Sequence, residues 1–390
     1  MKLIHTSDWH LGHLLYNYDR GEEQSSMLNQ LTEIVKKEQP DVFLLCGDVF
    51  DTYQPSTSVQ KMFIEGMLAI HEACPGMVMV MTAGNHDSGS KHEVNKELWQ
   101  FVGGHVIGNI YKDAIDKHII EIPGKGYVIA VPYAYEKFIP ENFFKDLTAR
   151  VKEVNKDNLP VIMTAHTTVN GVDFTGHERV NEKTIGNIDS VGIETFGEGY
   201  DYLALGHIHK PQFIHTGKHN VRYSGSPIAV SFDESYNHTV SIVEISGHGE
   251  RPEVREVEIE NIKPLVTLPV DGYGTYEEVM EILKKFEPVR PSYVRLQVKV
   301  EDSLPYNANY SASMLCEEKG CSFCLFNTKR KEAEASEIKT MSVDEFMSCA
   351  PIEIFTKYIE SQGMDVSGEM RTMVESVIAE VNEEKRNNNK

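Results

Sequence analysis

The stretch VFLLCGDVFD, residues 42–51, passes from an apolar run straight into the carboxylates Asp48 and Asp51. A run this short, ended by Gly47, predicts a buried strand with Asp48 just past its end. The same layout recurs along the chain. Leu3-Ile4 precedes Asp8 and His10 in SDWHLG, Val78 to Met81 precedes Asn85 in GNHD, Val161 to Met163 precedes His166 in TAH, and Leu203 to Leu205 precedes His207 and His209 in GHIH. Several of these donors are therefore expected to gather at one sheet edge. Between the strands come helical repeats: Met27, Leu28, Leu31, Ile34 and Val35, then Val59, Met62, Phe63, Met67 and Ile70, the latter introduced by the helix-start residues Pro55 and Ser56. Strand and amphipathic helix in alternation predict an α/β layered domain.

From about Asp201 the pattern changes to short strands with turn residues, in YLALG, QFIHT, VRYSGSP and HTVSIVEI. The core domain is expected to span residues 1–250, and the charged segment GHGERPEVREVEIENIKP to be a surface connection. A small α+β module follows, with strands over Tyr293 to Val300 and near Phe323 to Phe326. Asp344 to Glu384 has helical spacing: Phe346, Ile352, Ile354, Phe355, Tyr358 and Ile359 precede a break at Gln362-Gly363, and Met370, Met373, Val374, Val377, Ile378 and Val381 follow it.

A chain of 390 residues is long enough for two or three domains. No apolar run reaches the roughly 18 residues of a membrane span, and the opening MKLIHTSDWH is too short in apolar residues for a signal peptide. A cytoplasmic protein is expected, with its six cysteines reduced. The spacing of Cys316, Cys321 and Cys324 resembles half of a zinc site, but no fourth ligand is evident, so they read as buried thiols. The net charge of −21 argues against a general basic face for nucleic acid. A cleft whose seven donors include only Asp8 and Asp48 as carboxylates would nevertheless be positive once two divalent cations were bound.

Two ions suit this donor set better than one, because a carboxylate can bridge while imidazoles and an amide oxygen complete each site. Asp48 is the natural bridge. Manganese, iron or zinc are compatible with nitrogen and oxygen donors, and Mn²⁺ is the best match. Two ions ~3.5–4 Å apart would clamp a phosphate and activate a water, which implies metal-assisted phosphoester hydrolysis. His86 adjoins Asn85 and is expected to neutralise transition-state charge or protonate the leaving alkoxide, with Asp87 orienting it; the alternative is a structural histidine. Among the other histidines, His13 is the one expected near the cleft.

SDWHLG, GDVFDT, AGNHDS, ALGHIH and VRYSGSPIAVSFDE resemble the calcineurin-like metallophosphoesterase superfamily and, within it, the SbcD-type nuclease subunits of bacteria. The resemblance implies two packed β-sheets flanked by helices, with a dimetal site between them. It implies that Asp8, His10, Asp48 and His209 hold one ion, that Asp48, Asn85, His166 and His207 hold the other, and that His86 is catalytic. Archaeal and eukaryotic relatives carry a second active-site histidine where this chain has Asp51. The resemblance further implies a DNA-capping domain over residues 265–335 and C-terminal helices over 341–385 that dock on the coiled coil of an SbcC-type ATPase. Helices near 55–75 and 92–102 resemble the contact of a homodimer within a heterotetramer. The implied activity is exonuclease on duplex ends and endonuclease on single strands or hairpins, in DNA repair, recombination and replication. A phosphoesterase acting on nucleotides or phosphoproteins is the alternative, and a binding subunit with a lapsed site a third reading. Thr52, where the superfamily's protein phosphatases usually have arginine, favours a nuclease.

Overall fold

The computed structural model describes residues 1–330 except 177–183, 186–187, 216, 218 and 302, and beyond them residues 352–353, 355–356, 359, 368, 370–374 and 376–378. The chain divides into two compact units, Met1–Lys329 and Arg330–Lys390.

The first unit contains two six-stranded sheets. Strands β1 (Lys2–Thr6), β2 (Val42–Cys46), β3 (Val78–Thr82) and β4 (Gly104–Ile107) belong to one sheet. The other takes β5 (Ile119–Ile122), β6 (Gly126–Ile129), β7 (Val161–His166), β8 (Tyr202–Gly206), β9 (Gln212–Phe213) and β10 (Val221–Tyr223). The chain then returns to the first sheet with β11 (Thr239–Glu244) and β12 (Glu253–Glu258). The spatial orders are β12-β11-β1-β2-β3-β4 and β9-β10-β8-β7-β6-β5. The central pairs are parallel, with Leu3 beside Val42 and His166 beside Gly206, so the strand ends that carry the motifs point the same way within each sheet.

Period-two alternation explains the layering. Leu3, Val42, Leu44, Cys46 and Val80 face the second sheet and meet Ile120, Val128, Ile162, Tyr202 and Ala204. Their neighbours Ile4, Phe43, Leu45, Met79 and Met81 face the opposite way, onto helices α1 (Gly21–Glu38) and α2 (Thr57–Ala73). Met27, Leu28, Leu31 and Val35 of α1, with Phe63, Met67 and Ile70 of α2, supply the apolar stripe there. Ser56 caps α2, its Oγ accepting from the Val59 amide at 3.3 Å. The helix α3 (Phe143–Val154) covers the outer face of the second sheet with Phe143, Phe144, Leu147 and Val151. Strands covered on both sides read as near-continuous apolar runs, which is why they stand out in the sequence. His5 lies within the layer between the sheets. Its Nδ1 is 3.0 Å from the Tyr202 hydroxyl and its Nε2 3.2 Å from the Leu205 carbonyl, and burial, with Arg222 nearby, pushes its pKa down to about 3, leaving the ring neutral.

The core extends past Glu250. Residues 253–258, expected as a surface connection, form the edge strand β12, which pairs with β11 along its whole length. Val254 and Val257 pack on opposite faces of the sheet, while the surrounding glutamates and Arg255 face solvent. A charged edge strand discourages pairing with other chains and resembles a loop in composition. Beyond it, β13 (Leu265–Leu268), β14 (Tyr293–Val300) and β15 (Ser322–Arg330) form a three-stranded sheet with helices α4 (Tyr276–Lys285) and α5 (Ala308–Glu318). This module has its own apolar cluster, including Val279, Leu283, Val294, Leu296, Val298 and Cys316. Thr275 and Glu278 form a capping box at the start of α4. Cys316, Cys321 and Cys324 are free thiols, and among the described residues they are not one of the groups close enough to share an ion.

In the second unit, described positions from 352 to 359 and from 368 to 378 are helical, as the spacing predicts. Phe346, Ile354, Tyr358 and Val381 lie outside the described residues. No helix among the described residues is long and apolar enough to cross a membrane.

Leu44 is fully buried between the sheets, whereas Val289 is 98 % exposed. Leu44→Ala is expected to lower the unfolding free energy by about 2–5 kcal/mol and Val289→Ala to change it by no more than about 0.5 kcal/mol, both read by urea titration. Equal losses would contradict the layer assignment.

Candidate metal centre

The ends of β1, β2 and β3 from one sheet meet those of β7 and β8 from the other, and the expected donors converge there. Asp8, His10 and His209 form one group able to hold a metal ion, Asp48, His166 and His207 a second, and His10, Asp48 and His86 a third that overlaps both. Asn85 Oδ1 is 3.0 Å from His166 Nε2 and 3.0 Å from His207 Nδ1, so the amide oxygen joins the second group. On the other side, His10 Nε2 and His209 Nε2 are 3.2 Å apart. Asp48 lies between them: its Oδ2 is 3.3 Å from His166 Nε2 and 3.8 Å from His10 Nε2. All seven expected donors are brought together.

The backbone is bent to aim them. Asp8, His10, Asp48 and His207 all have positive φ, at 54°, 45°, 50° and 97°. For non-glycine residues such conformations cost about 1–3 kcal/mol each and persist only where the surroundings enforce them. Here the loops are bonded to one another: the Asp8 amide donates to the Gly47 carbonyl at 3.0 Å and the His10 amide to the Asp48 carbonyl at 3.1 Å. The His207 amide donates to both Asp8 carboxylate oxygens, at 3.0 and 3.1 Å. Glycine precedes three of the donors for steric reasons, Gly206 among them because a Cβ there would lie 2.0 Å from the Cys46 carbonyl oxygen. A Cβ on Gly47 would lie 2.2 Å from His166 Nδ1, and one on Gly84 would lie 2.1 Å from Asp48 Oδ1.

Ring orientation is set from behind. His166 Nδ1 donates to the Cys46 carbonyl at 2.9 Å, which turns Nε2 toward Asp48 and Asn85. His209 Nδ1 lies 3.0 Å from buried Glu234 Oε1, a carboxylate–imidazole arrangement that turns Nε2 into the cleft. Burial alone would lower the pKa of both His10 and His166. The carboxylates win: Asp51, Asp48 and Asp8 raise His10 to about 9, and Asp48 with Asp8 raises His166 to about 9. A pocket that holds protons this firmly on imidazole nitrogens is one where bound cations are favoured. Two carboxylates, an amide oxygen and four imidazoles also fit divalent first-row ions by donor type.

Comparison with known proteins agrees with this geometry. Residues 1–211 match the family described as calcineurin-like phosphoesterase. The chain belongs to that family. It is 30% identical over 320 residues to the SbcD subunit of the SbcCD nuclease from Rhodobacter capsulatus, covering 75% of this chain and 77% of the relative. The Bacillus subtilis protein of the same name is 29% identical over 388 residues, 93% of each chain. The one from Escherichia coli K12 is 24% identical over 396 residues, 95% of this chain and 96% of the relative.

Within this phosphoesterase site one expectation is corrected. Asp87 does not orient His86. Its carboxylate accepts from the amides of Val49 at 3.1 Å, Phe50 at 3.0 Å and Gly84 at 2.9 Å, and His92 Nε2 stands 3.3 Å away. It pins the Asp48 loop to the Asn85 loop from the buried side. The group next to His86 is Asp51, whose backbone carbonyl accepts from His86 Nδ1 at 2.9 Å while its carboxylate lies 3.4 Å from His10 Nδ1. The exposed ring of His86 packs edge-on against His10, with centroids 4.9 Å apart. His13 is near enough for Asp51, His10 and Glu234 to influence its charge, although burial dominates and lowers its pKa to about 4.

Glu234 is the functional residue that motif reading misses. It closes the quoted stretch VRYSGSPIAVSFDE, and an acid ending a glycine- and serine-rich loop is the available signal. Its neighbour Asp233 pairs with Arg295 of β14 at 2.6 Å, and Arg295 also donates to the Phe232 carbonyl at 3.1 Å.

Gly84→Ala is expected to displace the Asp48 carboxylate and weaken divalent-metal binding at least tenfold while the protein stays folded. Isothermal titration with Mn²⁺ beside circular dichroism checks this. Unchanged affinity would show that Asp48 does not depend on the close approach of Gly84.

Proposed function

We propose that this chain is the metal-dependent nuclease subunit of a DNA-processing complex, hydrolysing phosphodiesters at the centre built around Asp48. The observation that carries the reading is Asp48 Oδ2, 3.3 Å from one imidazole cluster and 3.8 Å from the other, with His86 alongside. Asp8, His10, Asp48 and His209 would hold one ion and Asp48, Asn85, His166 and His207 the other, with Mn²⁺ the best match to these donors. Such a pair, when bound, supplies positive charge for the phosphate and a water acidic enough to attack phosphorus near neutral pH. The chain's own contribution is positional. His86 keeps Nδ1–H on the Asp51 carbonyl, which leaves Nε2 to face the substrate. In the protonated ring, the Nε2 proton passes to the leaving oxygen as its bond to phosphorus breaks. The Asp51 carboxylate, where archaeal and eukaryotic relatives have histidine, supports His10 in place of a second proton donor.

The remaining parts fit an assembly. Residues 265–335 are assigned as a module capping the DNA cleft, and the helices of 341–385 as the docking site for an SbcC-type ATPase coiled coil. Met373 and Val377, 70 % and 52 % exposed, stand one helical turn apart and offer that partner an apolar face. Val94, Leu98 and Phe101 are exposed at helical spacing, Val94 lines one cavity with the exposed Ile64 of α2, and these residues are assigned to a homodimer contact. With a net charge of −21, the protein relies on its bound cations and a basic partner for DNA affinity.

His86→Ala is expected to keep both metal equivalents, measured by elemental analysis, and to lose at least 100-fold in Mn²⁺-dependent cleavage of a labelled hairpin. Loss of a metal equivalent would make His86 a ligand instead. Truncation before Asp344 is expected to abolish co-purification with the ATPase but to retain cleavage of short single strands. Unimpaired assembly of the truncated chain would displace the docking site.

A further inference from the structure

Beside the metal centre lies a cavity of about 760 Å³, within the size range of ligand pockets. It opens at the ends of the second sheet's strands, between the loop that follows β6 and the start of α3. His166 is part of its wall, so the cavity and the second metal group share a side chain. The β6 loop is tied to the catalytic loop by the Tyr133 amide, which donates to the Ala83 carbonyl at 2.8 Å, two residues before Asn85. Tyr133 stands edge-on to His166, with centroids 6.4 Å apart at 82°, and Tyr135 edge-on to Tyr133, at 5.5 Å and 64°. Tyr135 is 51 % exposed. Aromatic rings therefore lead from the proposed metal ligand to an exposed tyrosine on the cavity wall.

The charge of the lining restricts what can enter. Glu136, Glu141, Glu194 and Glu198 contribute four carboxylates against the single ammonium of Lys145. Phosphate is repelled from such a wall and stays at the cations next door. An uncharged planar group is not repelled, can stack on tyrosine, and can give hydrogens from an exocyclic amine to the carboxylates.

We propose that this cavity is a subsite for an unpaired nucleobase adjacent to the scissile phosphate, an inference that rests on the nuclease reading above. A base held in a duplex stack cannot enter without being extruded, so the subsite favours single strands and hairpin loops. Adenine, cytosine and guanine carry an exocyclic amine and thymine does not, so thymine is the weakest natural occupant.

The test uses the full-length chain with Mn²⁺ and single-stranded oligonucleotides that have one cleavable linkage. The nucleoside beside that linkage, on each side in turn, is adenosine, thymidine or an abasic analogue. On one side the abasic substrate is expected to raise KM about tenfold over adenosine with little change in kcat, thymidine falling between them. Tyr135→Ala is expected to raise the adenosine KM to the abasic value, and Tyr135→Phe, which keeps the stacking face, to restore it. Hydrolysis of bis(p-nitrophenyl) phosphate by the unmodified protein reads the metal centre without any base. If that hydrolysis occurs but adenosine and abasic substrates have equal KM on both sides, the base subsite is overturned while the nuclease reading stands. If bis(p-nitrophenyl) phosphate and every oligonucleotide resist cleavage, the nuclease reading fails first. A tenfold base effect that survives in Tyr135→Ala would also overturn this location for the subsite.

Discussion

Asp48 accepts a hydrogen bond from the His86 amide at one carboxylate oxygen, and its other oxygen stands between His166 and His10. That single side chain joins the two halves of the centre, because His10 and His86 follow strands of the first sheet while His166 ends a strand of the second. Its position requires a left-handed backbone at Asp48, an absent Cβ at Gly84, and a fixed gap between the sheets. The gap is set by the layer in which Leu44 and Cys46 meet Ile162 and Ala204. Packing between the sheets thus determines the spacing of the donors, and stability and chemistry depend on the same contacts.

What can be read in the sequence follows from which physical signals are local. Strands buried on both faces, such as 42–46 and 161–166, are apolar throughout and reveal themselves, and the donors that follow them fall in place because a strand end has only one direction. Ser56 is visible as a helix cap for the same local reason. The strand at 253–258 is not, since an edge strand is charged where it faces water. Asp87 misleads because adjacency in sequence suggests adjacency in space; in a tight turn successive side chains diverge, and this one points into the protein toward three backbone amides. Glu234 acts on His209 across a long separation in sequence, which no spacing rule reaches.

The overall acidity of the chain and the character of its cleft are consistent once they are separated. The carboxylates around His10 and His166 create a local field that retains cations, whether protons or metals. Once that field is neutralised by divalent ions, the centre becomes the attractive place for a phosphate on an otherwise repelling surface. Negative charge elsewhere then narrows where DNA can settle, and the cavity beside His166 is lined with carboxylates in the same way.

The pairing of Arg295 with Asp233 gives the module of residues 265–330 a mechanical hold on the metal centre. Asp233 and Glu234 are consecutive; one is gripped by β14 and the other steadies His209. Arg295 and His209 thus bear on neighbouring residues of one short peptide, so the outer module and the metal centre share an anchor. The joint is short, charged and close to the chemistry, whereas the donors at the ends of β2 and β7 rest on the layer packed between the sheets.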